Sequence, residues 1–193
     1  TDAVIEESTR EEIERVVCEH LAAAESYRFA WIGDVDLASR TVNLRTEAGV
    51  EGYLDGVTVS VDPDDETSEG PTGRAFRTGE VQTTRDVQTD SRHDPWRDHL
   101  EEYDFRSSEA IPIVHEGTVY GVLNVYAARP RAFEGEELTV IARLGEVVGH
   151  AIASAERKRA LMSDELVELE FRVPGFVETV TDGAPSTGTI RID

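Results

Sequence analysis

The sequence predicts an α+β domain in which an antiparallel sheet packs on helices with one face and looks onto a cavity with the other. Three observations predict it. First, Ser107 to Pro130 holds two apolar runs, Ala110 to Val114 and Thr118 to Ala127, joined by His115-Glu116-Gly117. That is the composition of a β-hairpin with glycine at the tight position. Second, the later run is rich in Val and Tyr and has no interior charge, so both of its faces must be covered. Third, those faces differ. Val119, Gly121, Leu123 and Val125 point one way and are smooth, whereas Tyr120, Val122, Asn124 and Tyr126 point the other way and carry polar tips. The smooth face suits helices, with Gly121 letting one approach, and the polar tips suit a cavity.

Thr9-Arg-Glu-Glu12 has the spacing of a capping box, so a helix starts there. Ile13, Val16, Val17, His20, Leu21 and Ala24 then form one stripe, running to about Tyr27, that belongs against the sheet. Phe29 to Asp36 alternates, with Phe29, Trp31, Gly33 and Val35 on one side, and turns at Leu37 to Arg40 into Thr41 to Thr46 as a second hairpin. Between Glu47 and Gly70 the pattern weakens. Val57 to Val61 is the strand candidate there, and Asp62 to Glu69 reads as a solvated loop. Gly70 to Glu80 reads as a short helix closed by Gly79, followed by a strand over Val81 to Thr84. Asp86 to Pro95 is loop-like, and Trp96 to Tyr103 suits a short helix over the hairpin.

A long helix begins at Phe133-Glu-Gly-Glu-Glu and runs to about Met162. Leu138, Ile141, Ala142, Gly145, Val148, Gly149 and Ile152 would meet the sheet. Val140, Leu144, Val147 and Ala151 form a second apolar strip at steps of a helix seam, and a lone domain needs only one. The leftover strip predicts a homodimer through the long helix, with the N-terminal helix alongside. Beyond it, Leu166 to Val173 alternates as a fresh strand, and Thr181 to Thr189 is rich in Gly, Pro, Ser and Thr.

The 193 residues fill one domain and a remainder. Forty acidic residues stand against 19 basic ones, of which only Lys158 is lysine, giving a formal charge of -21. Such a surface repels nucleic acid, and acid excess with Arg in place of Lys is the composition of halophilic proteins. The single cysteine, Cys18, rules out an internal disulfide and a multi-thiolate metal site. Cys18 lies off the helix stripe and reads as a small hydrophobe at a helix contact. No apolar run is read as a membrane span and no signal peptide is seen, so a cytoplasmic protein is expected. The missing initial Met and the strand-like end point to a piece of a longer chain.

Gly70-Pro71-Thr72-Gly73-Arg74-Ala75, Thr78-Gly79-Glu80, Asp86, Asp94-Pro95-Trp96, Ala110-Ile111-Pro112-Ile113 and Gly121-Val122-Leu123, in that order and spacing, resemble a GAF domain. The resemblance covers residues 9 to 162. It implies a PAS-related antiparallel sheet of about six strands, terminal helices on one face and a ligand pocket on the other. The stretch from Leu161 to Val173 looks like the opening of the region that follows the GAF domain in haloarchaeal bacterio-opsin activator-type regulators, making 163 to 193 its truncated start. Those proteins carry a helix-turn-helix further on. No segment here has a basic recognition helix, so DNA would be reached only through that missing part. The Asn-Lys…Phe…Asp-Glu signature of cyclic-nucleotide-binding relatives is not found. Bilin-binding relatives use a cysteine near the pocket, whereas Cys18 lies in the first helix.

The resemblance implies an unidentified small-molecule ligand, with Arg74, Asp86 and Asp94 at motif positions of the pocket region. Their structural alternatives are helix caps and salt-bridged surface groups. Trp31 and Trp96 could stack on a planar ligand or belong to the core. Asn124, an amide in a buried strand, must find partners in a loop, water or ligand. His93 and His99 flank a proline and share no helix face, so they read as surface loop residues and not as a metal site. The cofactor stays unknown. GAF-like free methionine sulfoxide reductases need several cysteines, so no enzyme activity is expected. The competing reading is a ligand-free dimerisation module.

Overall fold

The structure is a computed structural model that describes residues 9–162, 169–171 and 188–190. The chain divides into two compact units, Thr1–Arg157 and Lys158–Asp193. The first is built on a five-stranded antiparallel sheet of order β2-β1-β5-β4-β3, formed by β1 (Phe29–Asp36), β2 (Thr41–Ala48), β3 (Gln82–Thr84), β4 (Ser107–His115) and β5 (Thr118–Ala127). The sheet has one strand fewer than the expected six. Val57 to Val61 forms no strand of its own. It leans on the β2 edge through one bridge, Thr41 to Ser60, and the bonds Val42 N–H to Val59 O and Val61 N–H to Arg40 O. A longer ladder would extend the edge; the polar turn at Asp62 to Asp65 ends it.

Helix α1 (Arg10–Ala23) opens on the expected box: the Thr9 hydroxyl accepts from Glu12 N–H at 3.2 Å and the Glu12 carboxylate accepts from Thr9 N–H at 3.0 Å. Its buried face is turned from the predicted stripe. Glu14 and Cys18 are inside, Ile13, Val17 and Leu21 flank them, and Val16, His20 and Ala24 are exposed. The reason is ionic. Glu14 receives Arg10 Nε at 2.8 Å and Arg45 Nε at 2.9 Å, and its own face goes inward with them. Arg45 is aimed at α1 by a register shift between β1 and β2 at Ile32/Gly33. Cys18 is fully buried in the core under α1, and burial, with Glu14 and Glu19 near, pushes its thiol up to about 12.

Helix α4 (Glu136–Met162) lies over β4 and buries Ile141, Gly145, Val148, Gly149, Ile152 and Ala153. Close approach is made from the helix side. A Cβ on Gly149 would run into the backbone of Val114, and one on Gly145 into the Pro112 carbonyl. Gly121, expected to admit a helix, instead faces the Gly33 carbonyl of β1, 2.5 Å from where a Cβ would stand. The alternation of β5 also breaks at one place. Ile113 pairs with Gly121 but Val114 with Val119, so Tyr120 is bulged and packs on the helix-side core instead of the front. Arg10 clamps the bulge, donating to Tyr120 O at 2.8 Å, and reaches Glu156 of α4 at 3.2 Å. By length and composition α4 is long and apolar enough to cross a membrane, where no such run was expected; a helix that packs one face on a domain core passes the same test.

The other face of the sheet carries α2 (Pro71–Thr78), closed by Gly79 in a left-handed conformation, a 3-10 turn over Ser91–Trp96, and α3 (Arg97–Glu102). In the second unit, β6 (Leu169–Phe171) pairs antiparallel with β7 (Gly188–Ile190). The predicted strand is thus seen over three of its residues, and its remainder lies outside the described residues. Gly188 and Thr189, at the end of the stretch rich in Gly, Pro, Ser and Thr, are in β7.

The charge excess has a direct consequence. Most of the described ion pairs have at least one solvent-exposed partner, and they offset little of the self-repulsion of 21 surplus negative charges. At 0.01 M salt the screening length is ~30 Å, so the repulsion acts across the domain. The melting temperature is expected to rise by at least about 5 °C between 0.01 M and 2 M KCl. An unchanged value would remove the halophile argument.

Candidate functional site

On the front of the sheet, an aromatic cluster gathers Phe29, Trp31, Tyr53, Val87, Leu100, Phe105 and Tyr126. Tyr53 is its hub, with its ring 5.3 Å from Phe29, 5.1 Å from Phe105 and 5.5 Å from Tyr126. Between this cluster and α2 lies a cavity of about 20 Å³. Its lining includes Trp31, Tyr53, Leu54, Val57, Gly70, Pro71, Thr72, His93, Trp96, Ser108, Asn124 and Tyr126. The space holds water but no larger molecule as it stands.

The polar atoms of this cavity are its most telling feature. Trp31 on β1 and Asn124 on β5 are paired residues, directly opposite one another. Asn124 accepts at Oδ1 from the Thr72 hydroxyl at 2.7 Å, which ties the start of α2 to the sheet centre. Its Nδ2 has only a 3.4 Å contact with Val122 O. The Trp31 Nε1–H is buried without a well-formed hydrogen bond among the described residues, the Tyr126 hydroxyl lying near it out of bonding geometry, a costly arrangement. His93 is 4% exposed, not a surface residue, and its Nε2 is 3.0 Å from the Thr84 hydroxyl and 3.5 Å from that of Ser108. Burial lowers its pKa to about 4, so the ring is neutral. His99 is half-buried, its ring tilted against that of Tyr53 at a centroid distance of 5.7 Å. Both histidines are drawn inside because the 3-10 turn and α3 fold across the aromatic cluster, which a loop over Asp86 to Pro95 would not do.

Of the predicted ligand-binding residues, the cavity brings together Trp31, Trp96 and Asn124 and leaves the three charged ones elsewhere. Arg74 leans out from α2 toward Glu69 at 3.7 Å. Asp86 caps a turn through Gln88 N–H, pairs with Arg106 at 3.0 Å, and faces an open groove between β3 and the start of α4. Asp94 is exposed beside Arg97. Sequence reasoning missed Tyr53, a single aromatic in a Gly- and Asp-rich stretch, and His93. Their isolation among loop-forming residues was the available signal. On the opposite face, Val140 and Val147 are 64% and 62% exposed, whereas Leu144 of the same strip packs partly on its own helix-side core.

A second buried polar group sits behind the sheet. Glu109 on β4 is fully buried, accepts from the Thr83 hydroxyl at 3.1 Å through Oε1, and has no partner at Oε2. Burial pushes its carboxyl up to about 7.

Comparison with known proteins agrees with this architecture. A Haloferax volcanii protein named as a transcriptional regulator is 32% identical over 173 residues, covering 89% of this chain and 28% of that protein. The bacterioopsin transcriptional activator of Halobacterium salinarum is 26% identical over 190 residues, covering 98% of this chain and 26% of its own length. The chain therefore spans about a quarter of the curated relatives it matches. Among solved structures, the GAF domain of a phosphoenolpyruvate-protein phosphotransferase from Coxiella burnetii superposes with a TM-score of 0.61 at 21% identity, covering 79% of this chain and 87% of that one. A free methionine-R-sulfoxide reductase from Neisseria meningitidis superposes at 0.64 and 16% identity, covering 80% and 83%. The family model of the GAF domain matches residues 7–153, which with the sheet order and the flanking helices establishes that this chain belongs to the GAF domain family.

Proposed function

We propose that residues 9–162 are the small-molecule-sensing domain of a transcription regulator and that 163–193 begin its following region. The observation that carries this reading is the Trp31 Nε1–H, buried without a well-formed hydrogen bond in an aromatic-lined cavity opposite Asn124. A polar group of this kind is retained at a cost unless something occupies it. The strands that present Trp31 and Asn124 forward present Ile32 and Leu123 backward into the core under α1 and α4. A ligand that moves β1 against β5 would therefore shift the terminal helices, and with them an output domain outside this chain. The surplus of 21 negative charges leaves DNA contact to that other part of the protein. Such a regulator works in the cytoplasm, without a membrane, and without catalysis, since Cys18 is buried and away from the cavity. A thermal-shift screen of host metabolites in molar KCl tests it: at least one should raise the melting temperature at saturation. If none does, the sensing reading loses to a dimerisation module, which the small cavity favours.

In either reading the chain pairs with a second copy along its terminal helices, through Val140, Leu144, Val147 and Ala151, with Val16 of α1 alongside. The support is the exposure of Val140 and Val147 on a helix whose other face is already covered. Val147→Glu adds charge to that strip without touching the sheet face. Light scattering should report a folded monomer for this variant, at a protein concentration where the parent is a dimer. Equal dimerisation would place the seam elsewhere.

A further inference from the structure

We infer that the front cavity takes an uncharged planar ring bearing a carbonyl acceptor, seated where the Trp96 indole now closes the site. This rests on the sensing reading and narrows it to a ligand class.

Charge is disfavoured first. None of the cavity-lining residues is Asp, Glu, Arg or Lys, in a chain that is 31% charged. The one titratable imidazole, His93, is neutral and already engaged with Thr84. An ionised ligand would lose its hydration and meet no counter-charge.

The unused hydrogen bonds set the polarity. Trp31 Nε1–H has only the poorly aligned Tyr126 hydroxyl near it, and Asn124 Nδ2 has only a long contact within its own strand, while Asn124 Oδ1 is already taken by Thr72. Both are N–H donors on facing residues of β1 and β5. What is lacking is a well-placed acceptor, and a carbonyl oxygen with two lone pairs can take both.

Shape follows from what can leave. A ligand site needs roughly 300 Å³ or more, against the 20 Å³ present. Trp96 is half-buried, ends the short 3-10 turn, and lies against Gly70, where a Cβ would come within 2.6 Å of the indole. It is the one large lining side chain that combines partial exposure with a position at the end of a short element. Its departure vacates a flat slot between the start of α2 and the aromatic cluster, and a flat slot selects a ring.

The test is calorimetry of this chain in 2 M KCl with three probes of similar shape: 4-quinolone, which is neutral with a carbonyl; kynurenate, the same ring with a carboxylate; and naphthalene, with neither. 4-Quinolone should bind saturably; naphthalene, which lacks the acceptor, and kynurenate, which brings a carboxylate that meets no counter-charge, should each bind at least about ten-fold more weakly. Trp31→Phe, which keeps a ring and removes the donor, should weaken 4-quinolone about ten-fold and leave naphthalene unchanged. Kynurenate binding as tightly as 4-quinolone, and lost in Asn124→Leu, would overturn the ligand class and leave the sensing reading standing. No binding of any probe, either to the parent or to Trp96→Ala with its slot opened, would overturn the inference as well. The metabolite screen then decides the sensing reading on its own.

Discussion

Gly149→Ala is expected to destabilise the domain by about 2–3 kcal/mol and lower its melting temperature by roughly 5–10 °C. The sign is the informative part, since Gly to Ala inside a helix ordinarily stabilises by about 1 kcal/mol. Here the added Cβ would run into Val114, with the carbonyl carbon at 2.6 Å and the amide nitrogen at 3.0 Å. Those are backbone atoms of a strand paired with β5, so they cannot rotate away as a side chain would. Helix α4 would have to lift from the sheet, loosening the contacts of Ile141, Val148 and Ile152 together. Thermal or urea unfolding of the variant measures the effect. A melting temperature equal to the parent's or above it would mean that α4 does not sit this close to β4.

The second large effect is pH-dependent and belongs to Glu109. Its carboxyl titrates near 7 in the folded protein against 4.5 for an ordinary glutamate, because burial penalises the charged form. Folding thus favours the protonated group. Its stabilising contribution is fully present below pH 4.5, is lost as pH rises from there through 7, and levels off above. At about 1.4 kcal/mol per pH unit, the loss amounts to about 3 kcal/mol. Glu109→Gln keeps an acceptor for Thr83 at the same place and cannot ionise. The variant is expected to match the parent at pH 4 and to be more stable by about 3 kcal/mol at pH 8. A difference that does not change with pH would show that Glu109 finds a partner for its charge.

Much of the framework was legible from contiguous residues. The Thr9-to-Glu12 capping box, the hairpin around Gly117, the helix over Pro71–Thr78 ended by Gly79, and the long helix to Met162 all appear where local pattern placed them. Each is set by interactions within a few residues: reciprocal caps, a left-handed glycine, or an apolar repeat on one face. Alternation put Asn124 on the cavity side of its strand and Trp31 on one side of its own, and the pairing of β1 with β5 brings the two opposite each other.

What alternation and periodicity could not supply were the choices made between elements distant in the chain. Tyr120 goes to the helix side because β4 and β5 shift register beside it, and Arg45 reaches Glu14 because β1 and β2 shift register at Ile32. Glu14 is buried only because Arg10 and Arg45 converge on it from two elements, which turns α1 and sends Val16 to the surface. His93 and Tyr53, polar-loop residues by their neighbours, become interior once the 3-10 turn and α3 close over the aromatic cluster. The sequence by itself determined the family, through the order and spacing of its motifs, and the α+β class and the elements, which rest on short-range sterics and on a two-residue or 3.6-residue period; that Trp31 faces Asn124 came from the pairing of β1 with β5. Only the tertiary structure decided which polar groups were paired and which were left open, since a hydrogen bond or ion pair forms where separate segments meet at about 3 Å, a distance no local pattern encodes.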